Sequence, residues 1–170
     1  VHPSDLAPML LALGASVTVV GAAGRRVIPL DKFFTLPSDG NIRRENVLKN
    51  EEIITEITVP ASPVAARSTY LKFKERESLD FALSAAAVAL QLAANRTVRD
   101  ARIVLGGVAP IPWRVPAAEK FVVGKSLTAD VLAEAARIAL ADARPLEKNA
   151  YKVPLTQTLV RRALAKAGTV

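Results

Sequence analysis

Hydrophobic positions in the first part of the chain follow helical spacing and then strand spacing. The apolar residues of segment 6–13 recur at helical intervals and predict a short helix. Ser4 or Asp5 can cap its start, and Gly14 fits its end. Apolar, β-branched runs bounded by turn residues then predict three strands, over residues 17–20, 26–30 and 52–59. Pro60 ends the last of them.

The pattern changes after residues 61–67, where ASPVAAR combines a proline with small residues and indicates a boundary between two units. Alternation predicts strands over residues 69–74 and 98–105. Residues 83–92 stay ambiguous between helix and strand, because their many alanines tolerate either. Helical spacing then predicts three helices, over residues 117–122, 128–139 and 155–167. A small antiparallel sheet covered by helices is an α+β arrangement.

The composition bounds the classes of protein to which the chain can belong. Hydrophobic residues make up 51% of the sequence, yet no apolar run reaches the roughly 20 residues that span a bilayer. The high apolar content favours two interpretations equally, an alanine-rich protein that is simply well packed and a surface buried against a partner. There is no cysteine and His2 is the sole histidine, so we expect no metal site, no iron-sulfur cluster held by this chain and no catalytic triad. We expect His2 to be solvated.

The charge raises the question of nucleic acid. The net charge is +7, and lysine and arginine neutralise phosphates. However, the basic residues occur singly or in pairs with few aromatic residues between them, and no motif for reading bases is present. Acidic neighbouring subunits or an ordinary solvated surface explain the same charge, so we expect no nucleic acid partner.

Two segments carry a resemblance to a known family. Residues 68–92, STYLKFKERESLDFALSAAAVALQL, place a tight charged turn between two apolar segments, and VLGGVAPIPWR follows at residues 104–114. Together they resemble the FAD-binding medium subunit of the molybdenum hydroxylases, which include carbon monoxide dehydrogenase, xanthine dehydrogenase and aldehyde oxidoreductases. The resemblance spans essentially the whole chain. It implies that residues 83–92 form a strand.

The resemblance also implies a domain organisation. Residues 1–61 match the end of an FAD-binding domain, a helix plus antiparallel strands. Residues 66–170 match the flavoprotein C-terminal domain, a three-stranded antiparallel sheet packed against three helices. In the family, glycine-rich segments that hold the FAD pyrophosphate lie upstream of the position of Val1, so we expect this sequence to be a piece of a longer protein and to bind FAD weakly or not at all by itself.

Two cofactor contacts are expected around the charged turn. An isoalloxazine ring needs apolar contact on its face and a few directional polar groups at its edge. By the resemblance, Phe81 covers the ring where the electron acceptor approaches, and Lys72 contacts FAD, where a cation stabilises the anionic reduced flavin. The residues alone favour Phe81 as an ordinary core aromatic at the start of a strand, and they also allow Lys72 to be a solvated strand lysine like Lys74.

Two further contacts are expected in the first unit. Asp5 matches the acidic residue of the SDL segment of the family, which hydrogen-bonds the cofactor, although it can also cap the first helix. Ile54, in EEIITEITVP, matches a position that meets the flavin largely through its backbone, and its alternative role is core packing. The Gly106–Gly107 pair lacks the spacing of a phosphate-binding loop and fits a tight bend.

The function that the resemblance implies is electron transfer. A large subunit with molybdopterin oxidises the substrate, a small subunit with iron-sulfur clusters relays the electrons, and FAD passes them to NAD or another acceptor. This chain is then an oxidoreductase subunit without catalytic residues of its own, and we expect it to be cytoplasmic. Two alternatives remain, a scaffold domain that only docks subunits and a module that binds nucleic acid through its basic surface.

Overall fold

A computed structural model describes residues 1–39 and 42–169 of the chain. In this part of the chain, four α-helices accompany two antiparallel sheets, which confirms the predicted α+β class. The helices are α1 (Leu6–Ala12), α2 (Pro116–Val122), α3 (Ala129–Ala139) and α4 (Lys152–Thr169). The strands are β1 (Ser16–Gly21), β2 (Gly24–Pro29), β3 (Ile53–Thr58), β4 (Arg67–Phe73), β5 (Ser84–Leu92), β6 (Val98–Gly106) and β7 (Trp113–Arg114).

The first sheet has the strand order β2-β1-β3 and is antiparallel throughout. The β1–β2 hairpin closes with Gly21 opposite Gly24, and Gly24 has a φ of 101°, which favours glycine. Helix α1 precedes this hairpin and ends before Gly14, whose φ is 72°, as the sequence predicts. Strand β3 lies at the edge of the sheet and is solvent-exposed along its whole length.

The second sheet has four strands, in the order β4-β5-β6-β7, rather than the three predicted. The additional strand is only two residues long, and Trp113 and Arg114 pair with Leu105 and Val104 of β6. It escapes prediction because it lies between Pro112 and Pro116, in a stretch where prolines indicate irregular chain. The strand that the resemblance implies over residues 83–92 is confirmed, with bounds of Ser84–Leu92 in the structure.

Helices α2, α3 and α4 cover one face of the second sheet, as predicted. Thr128 caps α3 by accepting a hydrogen bond from the Val131 amide. Helix α4 begins at Lys152, three residues earlier than predicted, because Pro154 occupies its first turn, where a missing N–H leaves no bond unmade. The buried Glu119 carboxylate of α2 accepts hydrogen bonds from the Ile103 amide and from Arg114, which ties the helix to β6 and β7.

The opposite face of the second sheet packs against α1 and the first sheet. The core on this side combines side chains of α1, β1 and β2 with Ala87 of β5 and Val104 of β6. Strand β5 is therefore covered on both faces, and residues 84–90 are all completely buried. The two units predicted from the sequence thus share a hydrophobic core, and Asp5 of the first unit contacts Lys72 of the second.

Candidate functional site

The carboxylate of Asp5 is held at the junction of the two units by bonds to the second unit. Asp5 immediately precedes α1, but its side chain makes no capping bond. The capping role falls to Ser4, whose Oγ accepts a hydrogen bond from the Ala7 amide at 3.1 Å. The carboxylate is therefore free to accept hydrogen bonds from Tyr70 and Lys72 of β4, and its side chain is 39% exposed.

The ammonium of Lys72 connects this carboxylate to the charged turn. Its Nζ lies 2.5 Å from Asp5 Oδ2 and donates a second hydrogen bond to the Asp80 carbonyl at 3.1 Å. Lys72 points to this side because it alternates along β4 with Leu71, which packs against the helical core on the other face. One lysine thus joins the start of α1, strand β4 and the turn that carries Phe81.

The turn between β4 and β5 presents Phe81 to solvent. Phe81 directly follows Asp80 and is 59% exposed, so it is not the buried core aromatic that was the alternative interpretation. Lys74 donates to the Ser78 carbonyl at 2.9 Å, and Arg76 pairs with Asp80 at 3.2 Å, so the turn is closed by its own side chains. The Leu83 amide then bonds the Phe73 carbonyl at 2.8 Å and starts the next strand.

A glycine at the end of β6 allows the chain to approach this turn closely. Gly107 has a φ of 70°, and a Cβ added there would lie 2.8 Å from the Ala82 carbonyl oxygen. Its N-terminal neighbour Gly106 ends β6. The predicted tight bend is therefore present, and it supports the segment that follows Phe81.

Asp5, Lys72 and the turn that carries Phe81 form a cluster joined by these bonds. Ile54 lies on the first sheet, and none of these bonds joins it to the cluster. It is paired with Val19 of β1, and residues that face each other across antiparallel strands share one face of the sheet. Val19 is fully buried in the core between the sheets, so Ile54 is on the face directed toward the second unit. At the open edge of the sheet it remains 43% exposed.

Tyr70 is a member of the cluster that sequence reasoning missed. Its hydroxyl donates to Asp5 Oδ1 at 2.9 Å, while its ring packs at the margin of the core between the units. Burial, together with the hydrogen bond to Asp5, raises the pKa of the Tyr70 hydroxyl, so it stays protonated. A signal was present in the sequence, because Tyr70 and Lys72 are two residues apart on a strand and must share a face.

His2 differs from its expected role as a solvated terminal residue. Its backbone amide bonds the Ala109 carbonyl, and its ring meets Phe34 edge-on at a centroid distance of 4.9 Å. Burial lowers the pKa of His2, and Nδ1 is buried without a hydrogen-bond partner. The imidazole packs as an aromatic ring because the chain start folds against the second unit.

Within residues 1–39 and 42–169, no group of three His, Cys, Asp or Glu side chains could hold a metal ion.

The cluster offers the chemistry that a flavin dinucleotide requires. Asp5 and Lys72 provide a carboxylate and an ammonium that are partly exposed, and Phe81 adds an exposed aromatic ring on the residue after Asp80, whose carbonyl Lys72 binds. Hydroxyl-rich sugar and ribityl groups bind to such polar side chains, and a flat ring packs on an aromatic one. The residues present therefore fit FAD.

Two family models match successive parts of the chain. Residues 1–62 match the FAD-binding domain in molybdopterin dehydrogenase, and residues 68–167 match the CO dehydrogenase flavoprotein C-terminal domain.

Individual proteins agree with these matches. The carbon monoxide dehydrogenase medium chain of Hydrogenophaga pseudoflava is 33% identical over 98% of this chain and 57% of its own length. The aldehyde oxidoreductase FAD-binding subunit PaoB of Escherichia coli (strain K12) is 32% identical over 98% of this chain and 48% of its own length. The chain thus spans about half the length of these relatives.

Solved structures share the fold. The carbon monoxide dehydrogenase of Hydrogenophaga pseudoflava that lacks the Mo-pyranopterin moiety of its cofactor superposes with a TM-score of 0.82 at 32% identity, covering 97% of this chain and 59% of that one. The reconstituted CO dehydrogenase of Oligotropha carboxidovorans gives a TM-score of 0.83 at 25% identity, covering 97% of this chain and 56% of that one.

None of the helices in the described part of the chain is long and apolar enough to cross a membrane.

Proposed function

Since this chain belongs to the family of FAD-binding medium subunits of molybdenum hydroxylases, we propose that it forms one wall of a flavin site at the junction of its two units. The observation that carries the proposal is the contact of Asp5 with Lys72, because it brings two of the expected cofactor ligands together from opposite sides of that junction. Phe81 follows the residue whose carbonyl Lys72 also binds.

Asp5 and Lys72 orient the cofactor in this proposal. A carboxylate has about four acceptor positions, and Tyr70 and Lys72 occupy two of them, which leaves acceptors for the hydroxyl groups of FAD. The Lys72 ammonium has three N–H groups, of which two are bonded, so one remains for a flavin oxygen. Both side chains can thus bind the cofactor without abandoning their existing contacts.

Phe81 and Ile54 complete the proposed wall. The exposed ring of Phe81 covers the flavin on the side where the electron acceptor approaches and excludes water there. Ile54 contributes the backbone of β3, an edge strand whose outer side pairs with no other strand in the described part of the chain. These roles rest on the match of each residue to its position in the family.

The electron route completes the proposal. FAD, when bound, accepts electrons and delivers them to NAD or another acceptor. In the assembled enzyme, a large subunit with molybdopterin oxidises the substrate, and a small subunit with iron-sulfur clusters supplies the electrons. This chain contributes affinity, orientation and a positive charge beside the cofactor rather than substrate chemistry, and the enzyme operates in the cytoplasm.

The first prediction tests Lys72 as a cofactor ligand. We expect Lys72→Met in the full-length protein to raise the Kd for FAD about tenfold or more, because it removes a charged hydrogen-bond donor from the site. The measurement is titration of apoprotein with FAD, followed by flavin fluorescence. Lys74→Met is the matched control, because Lys74 bonds only within the turn among the described contacts and should leave the Kd within about twofold.

A docking scaffold is the second candidate function, and the exposed apolar side chains of the first sheet favour it. Val20 pairs with Ile53 on the face away from the core, Val27 lies on the same face, and all three are more than a third exposed. If docking is the only role, Lys72→Met and Phe81→Ala leave the flavin content of the assembled enzyme unchanged. A loss of flavin from either variant, with assembly intact, contradicts the scaffold and supports the flavin site.

A further inference from the structure

The Asp5 carboxylate owes its orientation to two donors on one strand. Tyr70 binds Oδ1 at 2.9 Å and Lys72 binds Oδ2 at 2.5 Å. They alternate with Leu71 along β4 and therefore reach the same side of the sheet. Asp5 immediately precedes α1 and its side chain makes no capping bond, so no bond to the helix fixes the carboxylate.

The two donors differ in how firmly they are held. The Tyr70 ring packs at the margin of the core between the units and has only two side-chain torsions. Lys72 has a flexible four-carbon chain and also binds the Asp80 carbonyl, so its position depends on the turn. Of the pair, Tyr70 is the anchor that the fold holds in place.

We propose that Tyr70 is a positioning residue for the cofactor, which acts by holding the Asp5 carboxylate in the orientation that binds FAD. The inference rests on the proposed flavin site and deepens it, because it adds a residue that need not touch the ligand. Burial and the Asp5 carboxylate raise the pKa of the Tyr70 hydroxyl. The hydroxyl suits this role because it therefore stays protonated across the physiological pH range. It can therefore donate to Asp5 at any pH in that range.

The division of labour around Asp5 supports the same role. Ser4 satisfies the amide at the start of α1, so the carboxylate has no competing hydrogen bond to make in the helix. Tyr70 comes from the second unit and Asp5 from the first, so their bond also fixes the two walls of the site relative to each other. A carboxylate that is already oriented loses less freedom when the ligand binds, and the affinity rises accordingly.

Tyr70→Phe removes the hydroxyl and keeps the ring. In the apo form of the full-length protein, we expect the Kd for FAD, measured by fluorescence titration, to rise about five- to tenfold. The matched control is Tyr151→Phe, because Tyr151 is the other tyrosine of this chain and is half exposed, and it should leave the Kd within about twofold. An unchanged Kd in Tyr70→Phe overturns the proposal.

A double-mutant cycle with Asp5→Ala separates positioning from other roles. If Tyr70 acts through Asp5, adding Tyr70→Phe to the Asp5→Ala protein has no further effect on the Kd. If Tyr70→Phe raises the Kd for FAD by the same factor in both backgrounds, the proposal is overturned, because Tyr70 then binds FAD directly or affects only the stability of the protein. A wild-type protein that does not bind FAD contradicts the proposed function instead, so the two failures are distinguishable.

A spectroscopic measurement covers the case in which Tyr70→Phe does not fold. Site-specific 3-fluorotyrosine at position 70 keeps the hydroxyl and reports on its surroundings. The proposal predicts that its ¹⁹F resonance shifts in the Asp5→Asn protein. It also predicts a shift when FAD is added to the protein that keeps Asp5. A resonance that moves with neither change contradicts the proposal.

Discussion

Ser4 and Asp5 illustrate what could and could not be inferred at the level of single residues. Either can cap a helix, and the sequence left both assignments open. The structure gives the capping bond to Ser4 and directs Asp5 to Tyr70 and Lys72. Which of the two residues caps the helix depends on Tyr70, which lies 65 positions from Asp5 in the chain. Local sequence rules cannot contain that information.

Glu52 provides a pH-dependent contribution to stability that is separate from the cofactor site. Arg26 donates two hydrogen bonds to its carboxylate, at 2.8 and 2.7 Å, and the Lys49 amide donates a third at 2.8 Å. The hydrogen bonds from Arg26, followed by that from the Lys49 amide, lower the pKa of Glu52 from 4.5 to about 2. The folded state therefore favours the ionised form, which links Glu52 to acid stability.

We predict the sign of this effect. A carboxylate with a lowered folded pKa stabilises the fold above its unfolded pKa, near 4.5, and the stabilisation is lost as the pH falls from there toward 2. Glu52→Gln should therefore melt below the wild type at pH 7, and the gap should narrow as the pH falls. Melting curves followed by circular dichroism between pH 7 and pH 3 measure it. A gap that stays constant over this range contradicts the assignment.

Among the elements, β5 shows how packing decides what local propensity leaves open. Its alanine run suits a helix as well as a strand. In the structure, helices cover one face of the strand and α1 with the first sheet covers the other, so the small side chains allow both layers to approach. The family resemblance was needed to predict this strand, because burial on two faces removes the alternation that identifies strands in a sequence.

The Gly107 bend gives a prediction at the scale of the element. Gly107→Ala should lower the free energy of unfolding by roughly 1–3 kcal/mol, because it adds backbone strain and places a Cβ 2.8 Å from the Ala82 carbonyl oxygen. Urea denaturation measures this change. The Gly107→Ala substitution should also weaken FAD binding, because the added Cβ displaces Ala82, which directly follows Phe81.

The control for this variant is Gly14→Ala. Gly14 has nearly the same φ, 72° against 70°, but nothing lies within 4 Å of an added Cβ. It therefore carries the backbone strain without the steric contact, and its loss of stability should be smaller. Equal losses in the two variants would show that the contact with the turn is unimportant.

The helices and strands with clear periodicity were predictable, but the two-residue strand β7 and the exact start of α4 were not. Strand β7 consists of two residues between prolines, and α4 begins before a proline that a helix tolerates only in its first turn. The existence of β7 depends on its pairing with β6, which is a tertiary effect.

At the scale of the whole molecule, the apolar residues lie both in a tightly packed interior and on an exposed face. Alanines at 85, 86, 87 and 89 are completely buried in the second sheet, as expected for a tightly packed protein. The first sheet nevertheless exposes Val20, Val27 and Ile53 on its outer face. A chain that spans about half the length of its relatives accommodates both observations.

The proposed site is a feature of the whole molecule, because neither unit holds all of its residues. Asp5 and Ile54 come from the first unit, and Lys72, Phe81 and Tyr70 come from the second. The shared core between the sheets fixes their separation, so the residue types were available from the sequence but their convergence was not. The family resemblance supplied the candidates, and the fold supplies the Asp5–Lys72–Tyr70 contacts.

The most direct test is the structure of the full-length protein with FAD bound. The proposal predicts polar atoms of FAD within about 3.5 Å of both the Asp5 carboxylate and the Lys72 ammonium, with the Phe81 ring against the isoalloxazine and the Tyr70–Asp5 hydrogen bond retained. A cofactor seated elsewhere, with Asp5 and Lys72 still paired only to each other and to Tyr70 and Asp80, contradicts it.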